Sequence, residues 1–209
     1  MNQEQDVSTR KVILTMLKTK GALTVSDMAK QLGITEMAVR RHLNTLERDG
    51  LIESKLVRQA MGRPTNLYSL TESADELFPK KYHHLTLDLL GELMEEAGEA
   101  KVQQLFDRRK ERLIGRYEEQ LKGKPLSERV QTLADIQNAN GYMVDWTATE
   151  DGQFIINEHN CPISQVANQY NHACQCELLM FETLLGADVE RTECLVKGGM
   201  KCSYVIQEK

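Results

Sequence analysis

Residues 23–54 read LTVSDMAKQLGITEMAVRRHLNTLERDGLIES, and the caps, glycines and apolar spacing of this stretch decide the fold of the first third of the chain. Thr24 with Asp27 three residues on forms a capping-box pattern that opens a helix over residues 25–32. Met28, Ala29 and Leu32 fall on one side of it, the side a helix turns to a core. Gly33 stands where a helix closes in a left-handed turn. Thr35 then caps a third helix, in which Val39, Leu43 and Leu46 make the buried stripe. At about 100° per residue, Met37, Arg41, Asn44 and Arg48 share the opposite face, with Arg40 at its edge. Asp49-Gly50 ends this helix.

Upstream, Ser8 is placed to cap a helix carrying Val12, Ile13, Met16 and Leu17, stopped by Gly21. Downstream, two short strands are predicted over residues 51–58 and 66–70. Between them runs QAMGRPT, residues 59–65, a hairpin tip shaped by Gly62 and Pro64, from which Arg63 would reach a phosphate or a narrow minor groove. The exposed face of the third helix offers cations for phosphates and guanine edges, an amide for adenine and an apolar group for a thymine methyl. Thr35, Met37, Arg40, Arg41, Asn44, Arg48 and Arg63 are the candidate DNA-contacting residues. A solvated basic helix with no nucleic-acid role is the alternative; the order helix, turn, basic helix, basic hairpin favours DNA. Charge agrees. The net charge is -5, but residues 10–70 hold eleven Lys/Arg against five Asp/Glu, which is +6 and leaves -11 for the rest. A basic head on an acidic body is the asymmetry expected when one domain meets phosphates. Over residues 8–72, the quoted stretch together with GRPTNLYSLT (62–71) resembles the winged helix-turn-helix regulators of the DeoR/ArsR-like superfamily, a resemblance specific for fold and silent on the operator.

Residues 73–83, SADELFPKKYH, read as a junction. A long helical stretch follows to about Leu121, with Gly98 placed to divide it and Gly91 and Gly115 preventing a clean heptad. The charge run FDRRKERLIGRYEEQ reads as a solvated helix face. The stretch serves either as a dimer seam or as packing for its own C-terminal domain. Gly123-Lys124-Pro125 breaks it, and an amphipathic helix is predicted from Leu126 to about Ala139. After Asn140-Gly141, one hairpin turns at Glu150-Asp151-Gly152, a helix covers residues 163–185, and a second hairpin turns at Gly198-Gly199. The expected class is α+β: a winged helix-turn-helix over residues 1–80, long central helices for linkage or dimerisation over 81–125, and an α+β sensor domain over 126–209.

All five cysteines, Cys161, Cys174, Cys176, Cys194 and Cys202, lie in that last domain. The first twelve residues, MNQEQDVSTRKV, lack an apolar signal-peptide region, and no apolar run approaches the roughly 20 residues that span a bilayer. The expected location is therefore the cytoplasm, where five cysteines rarely mean disulfides. Twelve residues separate Cys161 from Cys174 and twenty-seven separate Cys174 from Cys202, which is neither a zinc ribbon nor the bacterial ferredoxin run. The bare spacing gives a scattered thiolate site. Cys174 and Cys176 stand about 200° apart on a helix and do not easily share one site; Cys174, nearer the loop edge, is the better ligand, and Cys176 is a core residue or a spare. Cys194 and Cys202 sit on the two arms of one hairpin and can face each other.

The winged helix, then LFPKKYHHLTLDLL (77–90), then HNCPISQVANQYNHACQCELLMFETLLGADVERTECLVKGGMKCSYVI (159–206), together resemble the iron–sulfur-sensing repressors of the SufR type over nearly the whole chain. The resemblance implies a homodimer that binds double-stranded operator DNA, a cluster of the [4Fe–4S] type, control of cluster-assembly genes, and cluster ligation by Cys161, Cys174 and Cys202. The family's third cysteine falls here on Asp188, so the fourth ligand is Cys194, His159 or His172, with Cys194 preferred. The tail also resembles 4-vinyl-reductase-like small-molecule-binding domains. Two other readings stay open: a winged-helix regulator sensing zinc, another thiophilic metal, thiol oxidation or a small molecule through the same domain, and an enzyme with a DNA-binding appendage. There is no nucleotide-binding glycine loop, hydrolase nucleophile motif or telling carboxylate pair, so an enzyme is not expected. His83-His84 reads as a surface pair and His42 as packing.

Overall fold

The computed structural model describes residues 2–58 and 63–209, with side chains from Thr9 onward. Gln59–Gly62, and with them Gly62 of the expected hairpin tip, lie outside the described residues. The chain divides into two compact units, Met1–Lys80 and Lys81–Lys209. Among the described residues no helix is long and apolar enough to cross a membrane.

The first unit is built from α1 (Asn2–Lys20), β1 (Leu23–Thr24), α2 (Val25–Leu32), α3 (Glu36–Arg48), β2 (Ile52–Val57) and β3 (Thr65–Leu70). The strands form an antiparallel sheet in the order β1-β3-β2. Ser8, expected as a cap, lies inside α1, which begins at Asn2. The capping box does form: the Thr24 hydroxyl accepts from the Asp27 N–H at 3.2 Å and the Asp27 carboxylate accepts from the Thr24 N–H at 3.3 Å. Gly33 adopts φ 65°, and its N–H and that of Ile34 both bond Ala29 O. Only a residue without a Cβ takes that conformation at no steric cost. Ile13, Leu17, Met28, Val39, Leu43, Leu46, Ile52 and Tyr68 make the core. Burying a Val or Leu side chain contributes about 1.5–3 kcal/mol each, enough to hold a short α2 and α3 that would not persist alone. The segment read as a junction starts with a 3-10 turn, Ser73–Leu77, tied down within this unit. Asp75 there pairs with Lys18 and, at 3.3 Å, with Lys80.

The second unit contains α4 (Tyr82–Ala97), α5 (Glu99–Leu121), α6 (Leu126–Ala139), β4 (Val144–Ala148), β5 (Phe154–Glu158), α7 (Ser164–Gln169), α8 (His172–Leu185), β6 (Asp188–Glu193) and β7 (Cys202–Gln207). Gly98, at φ 77°, separates α4 from α5. The single helix expected over 163–185 is two. Tyr170 leaves helical geometry (φ -121°, ψ 79°), and Asn171 then starts α8. Asn bonds its own backbone readily and favours caps over helix interiors, so NQYNH is a weak point in the run. The strands form an antiparallel sheet in the order β4-β5-β7-β6. Helix α5, read as part of a separate segment over 81–125, packs along α8 and belongs to this unit. Alternation along the strands gives one buried face bearing Ile156, Glu158, Cys202, Tyr204 and Ile206. Glu158 stands opposite Cys202 and Ile156 opposite Tyr204 across the ladder. Phe181 of α8 lies on this face, its ring centroid 4.9 Å from that of Tyr204. The molecule is thus α+β throughout, with a helix-turn-helix at its N-terminus.

Candidate nucleic-acid interface and candidate metal centre

Helix α3 is held by its apolar stripe. Val39, His42, Leu43 and Leu46 are buried, which leaves Met37, Arg40, Arg41, Asn44 and Arg48 exposed on the other side. Met37 is 77% exposed. Thr35 is the N-cap, its hydroxyl accepting from the Ala38 N–H at 3.2 Å. Arg40 pairs with Glu36 at 3.5 Å, one turn back, and Arg48 with Asp49 at 3.7 Å. Exposed pairs of this kind are worth well under about 1 kcal/mol, so both guanidinium groups can be recruited to phosphate. The Ser54 hydroxyl donates to Glu47 at 2.7 Å, fixing β2 against the end of α3. Arg63 is exposed just before β3. Helix α3 and Arg63, just before β3, thus both present cations to solvent.

The second site grows from α8 and the strands beneath it. Cys174, Glu177 and Phe181 recur at i, i+3 and i+7, one helical face, and Phe181 seats that face on the sheet. The Cys174 thiol shares its surroundings with those of Cys161 and Cys194. Cys194 follows β6 directly, and its thiol is near enough to those of Cys202 and Cys161 to act on their charge. Cys202 opens β7, its sulfur accepting from the Leu195 N–H at 3.4 Å. Cys161 is half-buried in the loop before α7, beside a cavity of about 260 Å³ that it lines with His159, Ser164 and Leu195. Four cysteines from four places in the chain are thus near enough to one another for their charges to interact. Gly199 holds the loop that carries Cys194: its N–H bonds Cys194 O at 2.9 Å, and an added Cβ would lie 2.7 Å from Glu193 Cγ.

Of the other ligand candidates, His159 stays beside Cys161, while Asp188, His172 and Cys176 have other surroundings. Asp188 is exposed at the far end of β6, opposite Gln207 and 3.9 Å from Lys209. His159 Nε2 bonds the Asp145 carboxylate at 2.5 Å. His172 bonds Asp107 and Gln175. Cys176 is buried on the opposite side of α8, its sulfur 3.5 Å from Asp107.

Burial sets the electrostatics. It raises the Cys161 thiol to about 11 and those of Cys174 and Cys202 to about 12, so all three are held protonated. Arg191 is the cation beside them; it acts against the rise at Cys174 and donates to Cys174 O at 2.9 Å. Burial also raises Glu158, to about 9, and Glu177, and the proximity of Glu177 adds to the rise at Glu158. The Tyr204 hydroxyl lies between these carboxyls, 3.1 Å from Glu177 and 3.5 Å from Glu158, and Gln137 donates to Glu158 at 2.8 Å. Glu158, Glu177, Tyr142 and Tyr204 are neighbours of the thiols that the spacing of cysteines does not reveal. The period-2 pattern FIINE, with its acid at a core position, was the one signal available.

The donor set can be tested against a metal. A single tetrahedral zinc at about 2.3 Å from each sulfur needs sulfurs about 3.8 Å apart. Among the described residues, the one group of three or more His, Cys, Asp or Glu ligand atoms lying within 4.8 Å of one another is Asp107, His172 and Cys176. No three of the four cysteine sulfurs lie within 4.8 Å of one another, so they would have to move to surround one ion. A polynuclear iron–sulfur cluster would bond each thiolate to a different iron and would not need the sulfurs so close.

These features define a helix-turn-helix unit followed by a thiol-rich α+β unit. Residues 6–55 match the family described as "Helix-turn-helix domain". No curated protein matches the chain. Among solved structures, a C30AH42A mutant of ZitR from Lactococcus lactis is 28% identical, over 43% of this chain and 73% of that one, with a TM-score of 0.28. The adhesin competence repressor AdcR from Streptococcus pyogenes is 26% identical over 55% and 81%, at 0.30. NMB1585, a MarR family regulator from Neisseria meningitidis, is 22% identical over 63% and 76%, at 0.28. Likeness at these scores is too partial to carry any function to this chain.

Proposed function

We propose that this chain is a dimeric repressor that binds operator DNA through α3 and the β2–β3 hairpin, and that an iron–sulfur cluster held by Cys161, Cys174, Cys194 and Cys202 switches it. The resemblance to SufR-type repressors makes the cluster [4Fe–4S] and cluster-assembly genes the targets. The observation that carries the reading is that four of the five cysteines are near enough to act on one another's charge while Cys176 lies against Asp107. No three of the four sulfurs lie within 4.8 Å of one another, so a lone zinc ion would need them to move. When bound, a cluster would supply charge and covalent ties to elements otherwise joined by packing and hydrogen bonds. The residues supply the coupling: Cys161 anchors the loop before α7, Cys174 anchors α8, and Cys194 and Cys202 anchor the loop between β6 and β7. Loading releases thiol protons, and Arg191 stands beside the thiolates that remain. A difference of about 1–3 kcal/mol between loaded and unloaded arrangements suffices for a switch.

A second copy of the chain is the partner that suits α4. This 16-residue helix buries none of its residues and leaves Tyr82, Leu85 and Leu89 at 71%, 58% and 62% exposure. Operators with two half-sites call for two recognition helices. Anaerobic purification followed by an absorption spectrum and iron and sulfide assays tests the cofactor. The expected result is a brown protein with both iron and sulfide, and a colourless protein holding only zinc overturns it.

A further inference from the structure

We propose a second, separate metal site: a zinc ion bound by Asp107 of α5 and by His172 and Cys176 of α8, on the side of α8 away from the four grouped thiols. His172 and Cys176 are four residues apart, which stacks them on one helical face. Asp107 is 65 residues from His172 in sequence and is brought to it by the packing of α5 on α8. The three donor atoms lie within 4.8 Å of one another. Two of the separations match a zinc tetrahedron. With bonds of about 2.0–2.1 Å to nitrogen, 2.1 Å to oxygen and 2.3 Å to sulfur, its edges are about 3.4 Å (N to O) and 3.6 Å (S to O). Here His172 Nε2 is 3.2 Å and Cys176 Sγ 3.5 Å from the same Asp107 oxygen. The ligands need little rearrangement to receive an ion.

The surroundings have the form of a metal site. His172 Nδ1 lies 3.1 Å from Gln175 Oε1. A donor hydrogen bond at Nδ1 leaves Nε2, the nitrogen facing Asp107, as the ligating atom, and such outer partners orient metal-bound imidazoles. A cavity of about 310 Å³, lined by Phe106, Tyr170, His172 and Gln175, gives a path from solvent. Lys110 Nζ is 3.6 Å from the Asp107 oxygen and holds the place of a cation, so binding moves one ammonium aside and releases the Cys176 proton to solvent. One nitrogen, one sulfur and one carboxylate suit zinc, with a fourth position left for water. Bound there, the ion would fasten α5 to the helix that presents Cys174 on its other face.

The test uses the full-length, metal-free chain, kept anaerobic and titrated with zinc chloride against a competing chelator. Asp107→Asn, His172→Gln and Cys176→Ala should each bind one zinc fewer than the unmodified chain. Gln175→Ala should keep that zinc about tenfold more weakly. Cys161→Ser should leave that equivalent in place whatever it does to iron. The Asp107 side chain is 46% exposed and Asn matches its shape, so that variant reads the site without risk to the fold. Equal zinc content and equal affinity in Asp107→Asn and the unmodified chain would overturn the proposal, as would loss of this zinc in Cys161→Ser.

Discussion

Replacing Thr24 by Ala removes the hydroxyl that accepts from the Asp27 N–H at 3.2 Å and that donates to the Asp27 carboxylate at 2.6 Å. The reciprocal bond from the Thr24 N–H, at 3.3 Å, is long and survives weakened. Loss of an N-cap side chain costs about 1 kcal/mol, within about 0.5–2. In a unit of 80 residues, each kcal/mol lowers Tm by about 4–8 °C. The loss should depend on pH. The Thr24 hydroxyl holds the Asp27 carboxyl below its usual value. A depressed carboxylate contributes stability that is fully present above the unfolded value of about 3.9 and disappears as pH falls through the lower folded one. The gap between native and variant should therefore be full at pH 7 and narrow below about pH 4. Thermal unfolding by circular dichroism reads the effect. Trp146, the single tryptophan, lies in the second unit, so its fluorescence transition should not move and serves as an internal control. Thr24→Ser should retain most of the stability. An unchanged Tm in Thr24→Ala at pH 7, or a gap that widens in acid, would show that this cap does not hold α2 in place.

Arg41→Ala should weaken specific DNA binding by about 1–3 kcal/mol if the side chain reads a base; if it meets phosphate only, the salt slope should fall by about one unit instead. Fluorescence anisotropy across a salt series separates the two, and no change in either refutes a role for that face. Gly199→Ala forces a Cβ to 2.9 Å from Cys194 O; the displaced loop should shed iron faster in air, and iron retention equal to the unmodified chain would argue that this loop carries no ligand. Leu85→Lys with Leu89→Lys should yield a monomer by sedimentation, and a persisting dimer would remove α4 from the interface.

The helix-turn-helix was legible because its signals are local. Thr24, Asp27, Gly33 and Thr35 mark ends within a dozen residues, and Val39, Leu43 and Leu46 repeat at helical period. The division at Gly98 was legible for the same reason. Strand β1 escaped: two residues, Leu23 and Thr24, cannot show alternation, and they form a strand only by pairing with Tyr68 and Leu67. The break at Tyr170-Asn171 was hidden by apolar spacing that continues through it. Long-range partners were the least visible. FDRRKERLIGRYEEQ reads as a solvated face, yet its Asp107 meets His172, and the Lys110 side chain is only 16% exposed. The 200° separation of Cys174 from Cys176 followed from helix geometry alone; which of the two would join the other thiols depended on the sheet that Phe181 packs against.

The central claim is that the thiol centre changes the affinity of the N-terminal unit for DNA. Operator binding should be measured anaerobically for cluster-loaded and cluster-free protein, with Cys174→Ser and Cys176→Ser in parallel. The account predicts a change of about 5–150-fold in Kd between loaded and cluster-free protein, as a coupling of 1–3 kcal/mol gives. Cys176→Ser should keep this change and Cys174→Ser should lose it. Equal affinities with and without the cluster, or a change abolished by Cys176→Ser but not by Cys174→Ser, would contradict it.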